Sequence, residues 1–357
     1  MNNDRTAALT KKNYKPKRSS FKELLQRNRD SGGYLFRKNV GHWFFVFVRG
    51  VLLFGLCFLI LQPLLNKIAL SFMSEADIFD PTVHNIPREF TTDNYTMTAL
   101  LMTYWMSLRN TFFLTLVIAF LQVAACTFVG YGFARFKFPL KNFWFGCVMV
   151  LILVPPQTIL STLYLHFYNF DVFGIITFFR GLFFTPAQEG DVLGPLNLLG
   201  SPLPYLMMSA TCMGLKNGLY IYMIRQYFRN VPKDIEEAAY VDGCGKFKTF
   251  YAIMLPDAKA IIVSCFLFSF VWQWTDSLFS NLFLRSMNVL SSTVGTLDES
   301  LTDYFISNYG RNAFPSLGYQ QQIVATGMLM FIAPLILLYL VAQKGFVESI
   351  SQSGIKM

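Results

Sequence analysis

The sequence predicts an all-α polytopic membrane protein, and three observations carry that prediction. Of the 357 residues, 54% are hydrophobic and only 14% are charged, whereas soluble globular proteins carry roughly 25% charged residues. Six apolar segments are each long enough to cross about 30 Å of hydrocarbon. The loops between them alternate between basic and acidic. We predict transmembrane helices near 44–68, 109–134, 143–167, 203–228, 259–282 and 321–344.

Two of these six segments are not uniformly apolar. Arg49 lies near the start of the first segment, from where its side chain can extend to the inner interface. Lys216, Asn217 and Gly218 interrupt the middle of the fourth segment. Lys216 is therefore either a functional charge inside the membrane or the mark of a broken or re-entrant helix, where it would neutralise free carbonyls.

Lys and Arg are concentrated in alternate loops, and this asymmetry predicts the orientation. Residues 1–43 carry eleven Lys or Arg against three acids, whereas residues 69–108 carry one Arg against five acids. The positive-inside rule then places both termini in the cytoplasm and accounts for the net charge of +9 without a nucleic-acid partner. The predicted parts are a basic cytoplasmic tail (1–43), a six-helix membrane domain (44–346) and a cytoplasmic C-terminal tail (347–357).

One polar stretch, residues 231–256, lies between the fourth and fifth predicted spans on the cytoplasmic side. Pro232 suits a first helical position, and the acids that follow favour the positive end of a helix. Ile235, Ala238, Ala239 and Asp242 form a narrow face of this helix, which Gly243 and Gly245 end through a left-handed turn. A second helix presents Phe247, Phe250, Tyr251 and Met254 at helical spacing. The stretch predicts a helix-turn-helix unit whose small-residue face fits a partner's groove.

The spacing within this stretch resembles the EAA loop of ATP-binding-cassette importer permeases. The matching residues are Glu237, Ala238, Ala239, Gly243, Ile253, Leu255 and Pro256. In that family the loop is a coupling helix that docks into a cleft on a separate ATPase subunit. The resemblance therefore implies ATPase-coupling roles for those seven residues together with Asp242 and Phe247.

The flanking segments are similar to the carbohydrate-uptake group of this family, and within it to the smaller of the two maltose-permease subunits. Arg109-Asn110-Thr111, Gly132 to Phe136 and Pro155-Pro156-Gln157 each resemble an element of that group. Thr275 is a departure, because that group has Asn between Trp and the acid at this point. The resemblance covers about residues 44–357.

The resemblance also implies partners and cofactors. Two ATPase subunits would bind ATP and magnesium, so that this chain needs no cofactor of its own. A second permease subunit would complete a heterodimer, and an extracytoplasmic sugar-binding protein would deliver the solute to the outward loops. The chain would be a multi-pass protein of the bacterial cytoplasmic membrane, in contact with membrane lipids.

Five residues within the predicted spans are candidates for the substrate path: Gln157, Lys216, Trp272, Trp274 and Asp276. Charges inside the bilayer are costly and therefore suggest function, although Asp276 could equally pair with another helix. Gln157 could contact sugar hydroxyls or the carbonyls that two prolines leave free. Trp272 and Trp274 could stack on a sugar ring, although such tryptophans more often anchor interfaces or pack between helices.

Other functions lack their sequence signatures. We find no GxxxxGK[ST] loop, no HExxH motif and no nucleophile elbow, so we expect neither an enzyme, with catalytic residues, nor a metal site. An ion-coupled secondary transporter would need an ion relay, for which Asp276 and Lys216 alone are thin support. A non-sugar solute, such as an amino acid or a peptide, stays an alternative because permeases for such solutes carry the same EAA signature.

Overall fold

The computed structural model describes residues 34–354 apart from 81, 84, 85, 173, 176 and 178–195. The described residues are almost entirely helical, and their β-structure is limited to two isolated bridges, Met73 with Phe90 and Phe170 with Leu196. The fold class predicted from the sequence, an all-α polytopic membrane protein, is confirmed. Most of the predicted basic tail and much of the loop 168–202 lie outside the described residues.

The chain divides into two compact units, residues 1–66 and 67–357. The described part of the first unit belongs to helix α1 (Tyr34–Phe72), which begins ten residues before the predicted span and contains Pro63. Large apolar side chains of α1, such as Phe45, Phe54 and Ile60, are exposed. In a membrane protein such a surface faces lipid or another protein, because exposing apolar side chains to water is unfavourable.

The second unit comprises fifteen α-helices within its described residues. They are α2 (Glu75–Phe79), α3 (Asp93–Leu101), α4 (Tyr104–Arg135), α5 (Lys141–Leu153), α6 (Leu160–Tyr168), α7 (Leu203–Ala210), α8 (Asn217–Asn230), α9 (Asp234–Val241), α10 (Lys246–Thr249), α11 (Leu255–Asp257), α12 (Lys259–Thr275), α13 (Leu278–Phe283), α14 (Leu290–Gly295), α15 (Leu297–Tyr309) and α16 (Leu317–Gly354). A 3₁₀ turn, Pro156–Ile159, precedes α6, and a π turn, Phe250–Met254, joins α10 to α11.

Helix α4 is the centre of this unit and packs against α7, α8 and α12. The approach of α4 to α8 is close because Gly130 has no side chain: a Cβ there would lie 2.8 Å from Ile224 Cγ2. Gly218 allows a similar approach of α8 to α5, where a Cβ would lie 2.9 Å from the Val148 carbonyl oxygen. Small residues at such contacts are what membrane helices use to pack tightly in the absence of a hydrophobic driving force.

By length and apolarity, three described helices qualify as membrane spans, and up to five spans result if each bent helix pair counts as one. Helices α1, α4 and α16 correspond to the first, second and sixth predicted spans. The third predicted span consists of α5 and the Pro156–Tyr168 segment, bent by 99°. The fourth consists of the two short helices α7 and α8, and the fifth is α12 with α13 after it. The count of six spans stays a prediction.

The fourth predicted span is broken at its polar residues, which is one of the two alternatives that the sequence left open for Lys216. Cys212 and Lys216 both have left-handed backbone conformations, with φ of 59° and 60°, and Lys216 directly precedes α8. Gln122 of α4 donates from Nε2 to the Leu215 carbonyl and to Asn217 Oδ1. Its Oε1 accepts a 2.5 Å hydrogen bond from Ser269 of α12. The backbone freed by the break thus finds a side-chain partner inside the bundle, as apolar surroundings require.

Polar side chains hold the short helices around the start of α16. Asn94 Nδ2 donates to the carbonyls of Ser71 and Met73, at 3.1 and 2.9 Å. Gln322 Nε2 of α16 also donates to the Met73 carbonyl, at 3.0 Å. Both amides therefore satisfy the backbone just beyond the end of α1.

Candidate functional site

The candidate site is the polar unit of residues 231–256, which connects α8 to α12. The structure forms the predicted helix-turn-helix, with α9 starting at Asp234, two residues beyond Pro232. Gly243 has φ of 79° and makes the left-handed turn. Gly245 has an extended conformation, with φ of −71°, and is the N-cap of α10. The left-handed role predicted for both glycines therefore falls to Gly243 alone.

A buried carboxylate holds α9 to the central helix. Glu236 is 8% exposed, and its Oε1 accepts a 2.9 Å hydrogen bond from the Tyr131 hydroxyl. The same oxygen lies 3.3 Å from Arg135 Nε, an ion pair rather than an aligned hydrogen bond. Arg135 Nη2 donates to the Val231 carbonyl at 2.8 Å. The last turn of α4 therefore contacts both the start of the unit, at Val231, and its first helix, at Glu236.

Aromatic packing fixes the second half of the unit to the same place. The ring centroid of Phe250 lies 4.6 Å from that of Tyr131 and 5.3 Å from that of Phe128. Phe228, at the end of α8, lies 5.2 Å from Tyr131. Tyr131 is thus in contact with α8, α9 and the π turn after α10. Both halves of the unit contact this residue of α4.

Several large apolar side chains of the unit are exposed. Val241 is 86% exposed, Phe247 77% and Tyr251 67%. Tyr240 and Ile235 are also exposed, at 41% and 39%. Large apolar side chains that are exposed on a polar, folded unit are typical of a surface that binds another protein.

The residues predicted to couple to an ATPase include both exposed and buried positions. Glu237, Ala238, Asp242, Gly243, Phe247 and Pro256 are exposed, Ile253 and Leu255 are half-buried, and Ala239 is buried. The predicted small-residue face of α9 is therefore not a single surface, because Ala239 faces the bundle beside Glu236. The predicted apolar face of the second helix also divides, since Phe250 and Met254 are buried while Phe247 and Tyr251 are exposed.

The five residues predicted for the substrate path lie in different environments. Lys216 Nζ lies 5.2 Å above the ring of Trp272, and both residues are exposed. Gln157 is exposed in the 3₁₀ turn. Trp274 is 2% exposed and donates from Nε1 to the Phe331 carbonyl. Asp276 is 8% exposed, accepts from the Tyr205 hydroxyl, and accepts from the Phe279 backbone N–H at the start of α13.

Sequence reasoning missed the anchoring residues Glu236, Tyr131 and Arg135. Glu236 stands directly before Glu237, and both lie in the first turn of α9, where helix-dipole reasoning treats them alike. Residues at i and i+3 share a helix face, so Glu236 lies on the side of Ala239, away from Glu237, but this spacing alone does not indicate which side is buried.

The fold and this site together define a class of protein: a helical membrane protein with a folded polar unit between two of its helices. The chain belongs to the family described as "Binding-protein-dependent transport system inner membrane component", whose family model matches residues 126–351, more than half of the chain. It is accordingly a multi-pass component of a transport system in the cell membrane, and the family is one of transport components rather than enzymes.

Several relatives are permeases whose names specify carbohydrates. The arabinooligosaccharides transport system permease protein AraQ of Halalkalibacterium halodurans is 24% identical over 305 residues, 84% of this chain and 93% of the relative. The maltodextrin transport system permease protein MdxG of Bacillus subtilis is 27% identical over 250 residues, 69% and 74% of the two chains. The melibiose/raffinose/stachyose import permease protein MelC of Bacillus subtilis is 27% identical over 254 residues, 70% and 77%.

The fold is shared with a solved structure. A chain of a bacterial ABC transporter involved in the import of the acidic polysaccharide alginate aligns with a TM-score of 0.61 and 19% identity. The alignment covers 85% of this chain and 97% of that chain. The likeness shows that the two chains share a fold.

Proposed function

We propose that this chain is a permease subunit of an ATP-binding-cassette importer that takes up a sugar or oligosaccharide. One observation carries the mechanism: the unit 231–256 exposes Val241 and Phe247 on one side while Glu236 is anchored to α4 on the other. A partner that binds the exposed side therefore moves a body fixed to the central helix.

Force is transmitted along two routes in this proposal. The covalent route runs through Val231 into α8 and through Ala258, which is fully buried, into α12. The second route runs through the contacts of Glu236 with Tyr131 and Arg135 into α4. Because α4 packs against both α8 and α12, a push on the unit reaches three helices of the bundle at once.

The assembly we propose has two ATPase subunits, which bind ATP and magnesium, and a second permease subunit as a heterodimeric partner. When the ATPases close on ATP, they draw the coupling units together, and the path between the permeases opens outward to the binding protein. Both termini and the unit 231–256 lie in the cytoplasm in this arrangement.

The carbohydrate part of the proposal is supported by the names of AraQ, MdxG and MelC. Within the chain, Lys216 with Trp272 is the pair most suited to a sugar, because both side chains are exposed and the Lys216 ammonium group above the indole ring can donate hydrogen bonds to sugar hydroxyls. Gln157 is also exposed. The buried side chains of Trp274 and Asp276 would reach the path only if the bundle rearranges.

The coupling proposal predicts that the apolar side chains exposed on the unit bind the ATPase. We expect Phe247→Ser with Val241→Ser to lower ATPase co-purification at least about tenfold, because the few residues that dominate a protein interface each cost about 1 kcal/mol or more when truncated. Tyr309→Ser is the matched control, since Tyr309 is 70% exposed at the end of α15. Normal ATPase binding and sugar uptake by the double variant would contradict the proposal.

The solute is identified by purifying the chain gently from its native membrane and determining by mass spectrometry which proteins accompany it. We expect an ATPase, a related permease and a binding protein whose ligand can be assayed with labelled sugars. If the chain is isolated alone and still transports solute in a process driven by an ion gradient, the proposed function is contradicted.

A further inference from the structure

Three basic side chains meet where α5 begins and α8 nears its end. Lys141 is the first residue of α5, and Arg225 and Arg229 lie one turn apart on α8. The Arg225 guanidinium carbon lies 3.7 Å from the ring centroid of Phe145, one turn beyond Lys141. Three like charges are thus held together at one corner of the membrane domain.

No acid in the described part of the chain balances this basic cluster. The ion pairs found there are Arg88 with Asp80 and Arg135 with Glu236. Arg225 is only 9% exposed, and its Nε has no hydrogen-bond partner. Lys141 Nζ donates to the Phe136 carbonyl at 2.8 Å, which orients the ammonium group without neutralising it. A buried, unpaired cation is costly, so the cluster suits an anion supplied from outside the chain.

An apolar groove of about 540 Å³ adjoins the cluster. Phe133, Phe138, Trp144 and Leu151 are among the residues that line it. The ring of Phe133, which lines the groove, lies 5.8 Å from that of Phe145. Arg225 is stacked on Phe145, so the groove and the cluster lie next to each other. From Trp144 to Leu151 the groove follows α5 for about 10 Å, at 1.5 Å per residue.

We propose that this corner binds an anionic phospholipid, with its phosphate at Lys141, Arg225 and Arg229 and an acyl chain in the groove. The groove starts at the first turns of a membrane helix, where lipid phosphates lie, and continues along exposed apolar side chains such as Leu151. A phospholipid carries an anion and a hydrocarbon chain in that order. Anionic lipid is favoured over zwitterionic lipid because several cations converge without an acid.

Trp144 lines the groove and is a built-in reporter for the test. The full chain is reconstituted into phosphatidylcholine vesicles that contain a minor fraction of either brominated phosphatidylglycerol or brominated phosphatidylcholine. Bromine quenches tryptophan on contact, and the part of the quenching lost in Trp144→Phe is the groove signal. We expect the binding constant for phosphatidylglycerol to exceed that for phosphatidylcholine about fivefold or more, since one basic residue near an anionic surface contributes roughly that factor.

The variants separate a specific site from general attraction. Arg225→Gln with Arg229→Gln should bring the ratio of the two binding constants close to one, and Arg229→Gln alone, at an exposed position, should lower it if the double variant does not insert. Arg109→Gln is the matched control, because Arg109 is an exposed cation near the opposite end of α4 and should leave the ratio unchanged.

Three results would overturn the proposal. Equal quenching by the two brominated lipids would remove the headgroup preference. A preference that inorganic phosphate abolishes at constant ionic strength would indicate a simple anion site. Absence of Trp144 quenching by either lipid in the assembled importer would mean that a second permease subunit covers the groove. None of these results bears on the coupling proposal, which concerns different residues.

Discussion

At the scale of single residues, two adjacent glutamates have opposite environments. Glu236 is buried against Tyr131 and Arg135, whereas Glu237 is exposed. The difference follows from helical geometry, because neighbouring residues are about 100° apart around the axis. The glutamate of the EAA motif is thus exposed, while the preceding glutamate holds the helix to α4.

We predict that Glu236→Gln destabilises the protein while Glu237→Gln does not. The amide at 236 could still accept from Tyr131 but would leave the Arg135 charge unpaired, which typically costs about 3 kcal/mol in a buried pair. Exposed substitutions stay within about 0.5 kcal/mol. Thermal unfolding in detergent measures both effects, and Glu237→Gln should lower sugar uptake without lowering the unfolding temperature.

A second variant checks that the charge is responsible. Arg135→Gln combined with Glu236→Gln removes both charges and should regain part of the lost stability, because no uncompensated charge remains. If the double variant is as unstable as the two single losses added together, the ion pair is not what anchors α9.

At the scale of elements, the turn between α9 and α10 depends on the backbone conformation of one glycine. Gly243 has φ of 79°, a conformation that side chains with a Cβ adopt only at a cost. A Cβ built there would meet no atom within 4 Å, so the requirement for glycine is conformational rather than steric. Gly245 also has open space but an ordinary φ.

These two glycines form a matched pair for mutation. We predict that Gly243→Ala weakens the turn by about 1–2 kcal/mol and reduces uptake, whereas Gly245→Ala leaves uptake unchanged and stability equal or slightly higher. Uptake by vesicles containing the ATPase, normalised to inserted chain, is the measurement. Equal effects of the two substitutions would show that the left-handed turn plays no special part.

The sequence was sufficient to predict the elements but not their sides. The lengths of the apolar segments predicted α1, α4 and α16 as spans. Lys216, Asn217 and Gly218 suggested a broken helix as one alternative, and the structure contains this break. The two faces of α9 could not be assigned, because both carry small or acidic residues and only tertiary contacts distinguish Ala239 from Ala238. The same holds for Trp274, whose burial depends on a carbonyl of α16 that is far away in sequence.

At the scale of the whole molecule, α4 links the regions that transport requires. Its last turn holds Glu236, its middle holds the broken segment through Gln122, and its first residues lie beside α14 and α3. A rigid helix of 32 residues spans about 48 Å at 1.5 Å per residue, longer than the hydrocarbon core. In the coupling proposal, a displacement of the unit 231–256 would therefore be carried across the membrane by this one helix.

Orientation of the whole chain is tested by labelling from outside. In a variant without native cysteines, we predict that Tyr309→Cys reacts with a membrane-impermeant maleimide in intact cells, whereas Val241→Cys reacts only after permeabilisation. The reason is that α15 belongs to an acidic loop and residues 225–259 to a basic one. The reverse pattern would contradict a cytoplasmic unit 231–256.

The two-sided construction of the unit 231–256 bears on how such subunits diversify. Contacts that hold it to its own bundle use Glu236, Tyr131 and Arg135, while a different set, including Val241 and Phe247, is free. Substitutions in the free set leave the internal anchoring untouched, so that an ancestral subunit could exchange one motor for another without refolding its membrane domain. In this sense the surface that must match the ATPase subunit can change separately from the residues of the transport path.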